Sequence, residues 1–323
     1  MPQDRHPGRP ILTPLQRFLS SRLVTGVGMF LSKHLPPPIG HGIASLIAGL
    51  ISWLKPDFYW ILHANLRQVV GPEVDEETLH RIVRQVFRNN ARNNYDLWHL
   101  AGKGPEAIRA AVHIPPDAWA RAEQARQRDK GVIIVGTHTG NFDLSILALA
   151  AHGQEVQILG MAAPPAGGFD LMDQLRERTG AHLTTISPQT LREAISRLRA
   201  GGIVLTGVDR PVSDVGRLVE FFGRPAPLPT GHVRLALKTN AAILVAGPYR
   251  DSQKGNTMRL SPLLEMIRTG DRDEDLQINL RRVTAWLEEF IRAWPEQWAM
   301  FVPVWPKERK QIDKGTGRQR AGI

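Results

Sequence analysis

From residue 131 onward the chain alternates short, apolar, β-branched runs with helical patterns, and that alternation leaves few architectures open. Residues 131–136 (GVIIVG) read as a buried strand; further candidates are 156–159, 182–186, 203–206, 218–222, 243–246 and 257–260. Helical patterns fall between several of them, at 142–151, 168–179, 188–200 and 231–239, and a late amphipathic helix covers 273–293. Strands separated by helices predict an α/β fold, with a central, mostly parallel or mixed sheet flanked by helices.

The chain before residue 131 has a different texture. Helical patterns at 16–33, 40–54, 58–69, 76–100 and 117–128 make it α-helical, and Pro36-Pro37-Pro38 and Lys55-Pro56 separate the early ones. The expected organisation is a polar leader (1–14), a helical part with apolar interfacial helices (15–130), an α/β core (131–305) and a basic, disordered tail (306–323). No compact apolar run with a small-residue cleavage site opens the chain, so a cleaved signal peptide is not expected. The run 40–54 contains no acidic residue, lysine or arginine. As a helix it would extend about 22 Å, short of the ~30 Å of a bilayer core, so it is expected to lie in the interface. A buried core helix is the alternative.

The chain carries 41 Lys and Arg against 31 Asp and Glu, a net charge of +10. That excess suits phospholipid head groups, nucleic acid or an acidic carrier protein, and does not choose among them. No RNP or helix-turn-helix signature is present and the arginines are scattered, so nucleic acid is not expected as a partner. Cysteine is absent, which excludes disulfides, thiolate zinc sites and a cysteine nucleophile. No HExxH or similarly spaced histidine pair appears, and no metal is expected. Four of the eight tryptophans lie between Trp286 and Trp305, a distribution that suits either a lipid–water boundary or packing in the core.

The segment Gly136-Thr137-His138-Thr139-Gly140-Asn141-Phe142-Asp143 carries the chemistry. A strand ends at Gly136, a small-residue turn follows and a helix begins near Asn141. His138 is thereby placed in a loop at the carboxyl edge of the sheet, where α/β proteins bind ligands. Histidine, titrating near pH ~6.5, is suited to lifting a proton from a hydroxyl. Asp143, in the first helical turn, is the carboxylate expected to fix its tautomer. The bland alternative is a helix-capping aspartate beside an idle loop histidine.

From His138 onward the sequence resembles the lysophospholipid acyltransferase superfamily. Within it the resemblance is closest to the lipid A biosynthesis lauroyl/myristoyl acyltransferases and the phosphatidylinositol mannoside acyltransferases. HTGNFD matches that family's His-x4-Asp box, Asn141 included. Leu175-Arg176-Glu177-Arg178-Thr179-Gly180 is similar to its arginine-then-glycine element, and Thr206-Gly207-Val208-Asp209-Arg210 to its aspartate after a strand. Phe221-Phe222-Gly223-Arg224-Pro225-Ala226 with Pro229-Thr230-Gly231 resembles its FFG…PTG block. Trp294-Pro295-Glu296-Gln297-Trp298 and Ala64-Asn65-Leu66 also have counterparts. The likeness extends over residues 10–305. Two departures bear on the acceptor: Met300-Phe301-Val302-Pro303-Val304-Trp305 replaces a basic stretch, and Arg210-Pro211 follows Asp209.

The resemblance implies a membrane-associated O-acyltransferase. His138 would act as general base oriented by Asp143, and a glycolipid or lysophospholipid hydroxyl would attack the thioester directly. Acyl-CoA or acyl carrier protein would be the donor, with no further cofactor. An anionic membrane surface and a lipid acceptor would be the partners, at the cytoplasmic face of a bacterial inner membrane, with the protein peripheral or monotopic. Asn141, Arg176, Arg178, Asp209, Arg210, Phe222, Gly223 and Thr230 would contact substrate. Their bland alternatives are a solvated helix face for the Arg176–Arg178 pair, loop support for Asp209 and Arg210, core packing for Phe222, a turn for Gly223 and an N-cap for Thr230. Two other classes remain open: a hydrolase using the same His-Asp pair, although no Gly-x-Ser-x-Gly elbow is present, and a non-catalytic basic membrane-binding protein.

Overall fold

A computed structural model describes residues 13–161, 167–178, 180–212 and 218–305. Residues 1–12 of the expected leader, the expected tail from 306, and Thr179 lie outside the described residues. The chain opens with α1 (Pro14–Leu19), α2 (Arg22–His34), α3 (Pro37–Leu54), α4 (Asp57–Val70), α5 (Glu76–Ala101) and α6 (Pro105–Ala110). The single helix expected over 16–33 is two. Ser20 ends the first and Ser21 starts the second, its hydroxyl accepting from the Val24 amide at 3.3 Å. The prolines expected to act only as a break also begin α3, where Pro37 and Pro38 occupy positions that have no amide partner to lose.

After β1 (Val112–His113) and α7 (Pro116–Arg126) comes the alternating core. It contains β2 (Val132–Gly136), α8 (Phe142–Ala151), β3 (Val156–Gly160), α9 (Gly167–Arg178), β4 (Ala181–Thr185), α10 (Pro188–Arg199) and β5 (Ile203–Gly207). The chain continues through β6 (Val219–Phe221), β7 (Arg224–Ala226), α11 (Gly231–Thr239), β8 (Ala242–Asp251), β9 (Gly255–Leu260) and α12 (Arg272–Ala293). Among the described residues a seven-stranded sheet runs in the order β1–β9–β8–β2–β5–β3–β4, parallel except for the β8–β9 hairpin. The run expected as a strand at 218–222 does not join it. It pairs instead with β7 in a separate ribbon, closed by Phe222 and Gly223 at φ +49° and +71°. Two positive-φ residues are what a tight hairpin turn requires.

Alternation along β2 divides the interior. Ile133 and Val135 face a core shared with α4, α5, α11 and α12, whereas Val132 and Ile134 face the opposite side, toward α7 and α8. The C-terminal tryptophans pack against the body: Trp298 is fully buried and Trp294 stacks on Tyr249 with centroids 3.8 Å apart. Of the two readings open for that cluster, packing is the one these contacts support; among the described residues the exposed tryptophans are Trp53, Trp60 and Trp119.

His232, in the first turn of α11, is buried, and burial pulls its imidazole down to about 4. A folded-state pKa below the unfolded one means that stability is fully present above about pH 6.5 and is lost as pH falls toward 4. Between pH 6.5 and 5.0 the loss should be roughly 2 kcal/mol at ~1.36 kcal/mol per pH unit. Urea denaturation at the two pH values, compared with His232→Leu, measures it; an equal slope in the variant would assign the loss to other groups.

Candidate active site

The strand register builds the site. β2 and β5 are neighbours paired Gly136↔Gly207, so residues two positions beyond each strand end face one another. These residues are His138 and Asp209. The Asp209 carboxylate is fully buried and accepts three hydrogen bonds: from His138 Nδ1 (2.6 Å), the His138 amide (2.8 Å) and Trp298 Nε1 (2.9 Å). Burial alone would raise the Asp209 pKa, but the His138 charge and these hydrogen bonds outweigh it and hold the carboxyl below its ordinary value. With Nδ1 donating to Asp209, the tautomer is fixed and Nε2 carries the lone pair. Nε2 has no hydrogen-bond partner among the described residues. Gly207 leaves room for the ring, because a Cβ there would stand 2.9 Å from His138 Cε1.

The carboxylate that orients His138 is thus Asp209, and the expectation of Asp143 in that position is corrected. Asp143 lies in the first turn of α8 and forms no hydrogen bond with His138 among the described residues. Its Oδ1 accepts from Arg176 Nη2 (2.6 Å) and Nε (3.2 Å), and Arg176 Nη1 reaches Asp173 at 2.6 Å. Asp143, opposed by burial and aided by Asp173, raises the Arg176 pKa and keeps the guanidinium charged. Sequence proximity favoured Asp143; the in-register β2–β5 pair, which links positions 71 residues apart, is what selects Asp209.

The turn that carries His138 is fastened from several directions. Gly140 adopts φ +51°, and a Cβ there would lie 2.6 Å from the Pro248 carbonyl, so only glycine fits. The Gly140 carbonyl accepts from Asn93 of α5 (2.7 Å), and its amide donates to Gln297 (3.1 Å). Ala299 donates to the His138 carbonyl at 2.9 Å. Asn141 caps α8, accepting from the Leu144 amide at 3.2 Å, and donates to the Asn93 carbonyl at 3.0 Å. Sequence reasoning missed Trp298 and Asn93 because neither stands within a recognisable spacing of His138.

His138, Asp143, Arg176 and Arg210 line one cavity of about 1920 Å³. Burial draws the Arg210 guanidinium below its ordinary value, with the neighbouring Asp209 acting the other way. From His138 the cavity follows the sheet face past Ile134, Leu205 and Leu244 toward Gly202 at the opposite edge. It is larger than the ~300–1,000 Å³ of ordinary small-molecule sites, and apolar side chains dominate this path. Among the other expected contacts, Arg178 is exposed, Phe222 is buried against Phe221, Trp298 and Trp305, and Gly223 turns the ribbon. Thr230 occupies the α11 N-cap without a capping bond, and its Oγ1 accepts from Arg234 Nε at 3.4 Å. None of these four lines the cavity.

Gly136 marks the cavity beside the histidine, since a Cβ there meets no atom within 4 Å and its φ is not positive. Gly136→Leu should therefore fold normally and obstruct the channel. The kcat/KM for long-chain thioesters should fall by about 10-fold or more, while short-chain thioesters keep theirs, the scale set by apolar pocket contacts. Parallel assays with the two donor lengths test it, and an equal fall for both would remove the channel from the argument.

The chain is 24% and 25% identical, over 247 residues, to the phosphatidylinositol mannoside acyltransferases of two strains of Mycobacterium tuberculosis. The alignments cover 76% of this chain and 73% of each relative. The sequence profile of the bacterial lipid A biosynthesis acyltransferases matches residues 11–307, which includes every element described above, and the chain belongs to that family.

Proposed function

We propose that this protein transfers a fatty acyl group from a thioester, acyl-CoA or acyl carrier protein, to a hydroxyl of a glycolipid at a membrane surface. The observation that carries the mechanism is the buried Asp209 holding His138 with Nε2 free at the end of an apolar cavity. Nε2 accepts the proton of the acceptor hydroxyl as its oxygen attacks the thioester carbonyl. The tetrahedral intermediate collapses, the carbon–sulfur bond breaks, and the imidazolium returns the proton to the leaving thiolate. Asp209 remains ionised throughout and stabilises the imidazolium. Arg210 and the Asp143-bound Arg176 supply positive charge along the wall for the anionic groups of donor or acceptor. The absence of cysteine agrees with direct transfer.

The membrane side rests on α2 and α3. Leu23 and Phe30 on α2, and Leu46, Leu50 and Trp53 on α3, are more than half exposed. A continuous apolar surface of this kind needs a cover, and a bilayer beside a protein of net charge +10 supplies one. By length and composition α3 is apolar enough to cross a membrane. Its inner face, however, packs along the polar α5, with Gly40 pressed on the Tyr95 ring. That packing supports a helix lying on the cytoplasmic leaflet rather than through it.

Purified protein given acyl-CoA and a glycolipid acceptor should yield an acylated lipid. Mass spectrometry of membrane lipids from cells with and without the gene should show which lipid loses one acyl chain. Thioester consumption that is unaffected by acceptor, with free fatty acid as the product, would make the protein a hydrolase.

A further inference from the structure

α4 and α5 are joined through residues 71–75, and the turn brings His63 beside the first two turns of α5. Glu76 and His80 stand four residues apart there, on one helical face. One ligand-type atom from each of the three residues lies within 4.8 Å of the others. His63 Nε2 is 2.9 Å from Glu76 Oε2, and the two imidazole centroids are 4.9 Å apart. The group has no paired-histidine spacing in the sequence, because the helix-borne pair is a glutamate with a histidine and the second histidine comes from the neighbouring helix.

Two of the three side chains are also held from behind. The hydroxyl of the fully buried Tyr59 is hydrogen-bonded to His80 Nδ1 at 2.8 Å, and Arg67 donates to Glu76 Oε1 at 2.6 Å. Outer partners of this kind fix the orientation of metal-binding rings and carboxylates. Two histidines and one carboxylate form the donor set of tetrahedral zinc, with a fourth position left to water.

We propose that His63, Glu76 and His80 form a binding site for a divalent cation of the zinc class, which clamps α4 to α5. The role is structural. His80 precedes Asn93, the α5 residue that holds the His138 turn, by about 20 Å of helix axis at ~1.5 Å per residue. Lys55, Arg67 and Arg84 surround the cluster and oppose a dication, so affinity should be micromolar rather than nanomolar. The reading is independent of the acyl-transfer chemistry.

Tag-free, full-length protein stripped with chelator and titrated with ZnCl2 by calorimetry should bind one ion per chain, with a rise in Tm. Co2+ should give the visible absorption of a tetrahedral site. Glu76→Gln, whose side chain is 64% exposed, should fold as wild type and lose affinity by about 100-fold or more. His63→Asn and His80→Asn should do the same, and Tyr59→Phe should lose about 10-fold through the outer partner. His34→Asn, far along the chain on α2, should bind zinc as wild type does. No saturable binding by the folded wild type would overturn the site and leave a surface His63–Glu76–Arg67 ion pair. So would unchanged binding in the His63→Asn/Glu76→Gln double variant.

Discussion

Asparagine at position 209 will lower kcat for acyl transfer by roughly 10³-fold or more, the scale seen when a histidine base loses its orienting carboxylate. The side chain is buried and faces three donors: the His138 amide, His138 Nδ1 and Trp298 Nε1. Asparagine offers one acceptor oxygen and an amide that is itself a donor, so not every partner can be satisfied. If the amide faces the ring, Nδ1 becomes the acceptor and the proton moves to Nε2, which can then no longer accept one. KM should change little, because Asp209 does not line the cavity. Asp143→Asn is the comparison that decides the assignment. It loosens Arg176 without touching the ring and should cost only about 10-fold, within the range of positioning contacts. The reverse order of effects would restore Asp143 as the orienting carboxylate. Because the Asp209 pKa is lowered on folding, its stabilising contribution is complete above about pH 3.9 and is lost as pH falls through the folded value. Denaturation midpoints of wild type and variant should therefore converge only in strong acid.

Alanine at position 138 will reduce turnover by about 10²–10⁴-fold, the loss expected for a general base. It should also destabilise the fold, because Asp209 keeps its charge, Trp298 and the residue-138 amide but loses the ring that was its closest partner. Leaving a buried carboxylate short of one hydrogen bond costs about 1–3 kcal/mol. The double variant His138→Ala/Asp209→Asn should be no slower than the single alanine, since the two residues act as a unit. It should also recover part of the lost Tm, since the buried charge that lacked one partner is gone. Steady-state kinetics and thermal melting of the three proteins measure both halves of this expectation. Full activity in His138→Ala would end the mechanism.

The features that proved legible in the sequence were those encoded locally. The runs at 131–136, 203–206 and 243–246 became β2, β5 and β8 because consecutive apolar, β-branched residues fit a strand buried on both faces. His138 was visible because the strand, the small-residue turn and the helix start are contiguous. The partner of His138 was not, since Asp209 is chosen by register between strands separated in the chain by three helices and two other strands. Proximity along the chain offered Asp143, which serves Arg176. The split between α1 and α2 turned on a serine cap within a pattern that otherwise continues as helix. β1, only two residues long, exists through its pairing with β9 and had no pattern of its own. The four-tryptophan cluster was ambiguous by composition, and a hydrogen bond to Asp209 resolved its last buried member.

Trp298 and its neighbours belong to the segment that follows α12, and they reach back to the His138 turn through Gln297, Trp298 and Ala299. Asn65 on α4 grips the same segment at the Met300 and Val302 carbonyls. During synthesis on the ribosome these residues emerge after every strand of the sheet. A nascent chain that already has its histidine, its aspartate and its channel still lacks the peptide that locks them together. The His138 turn is therefore locked only by a segment made after the last described strand of the sheet.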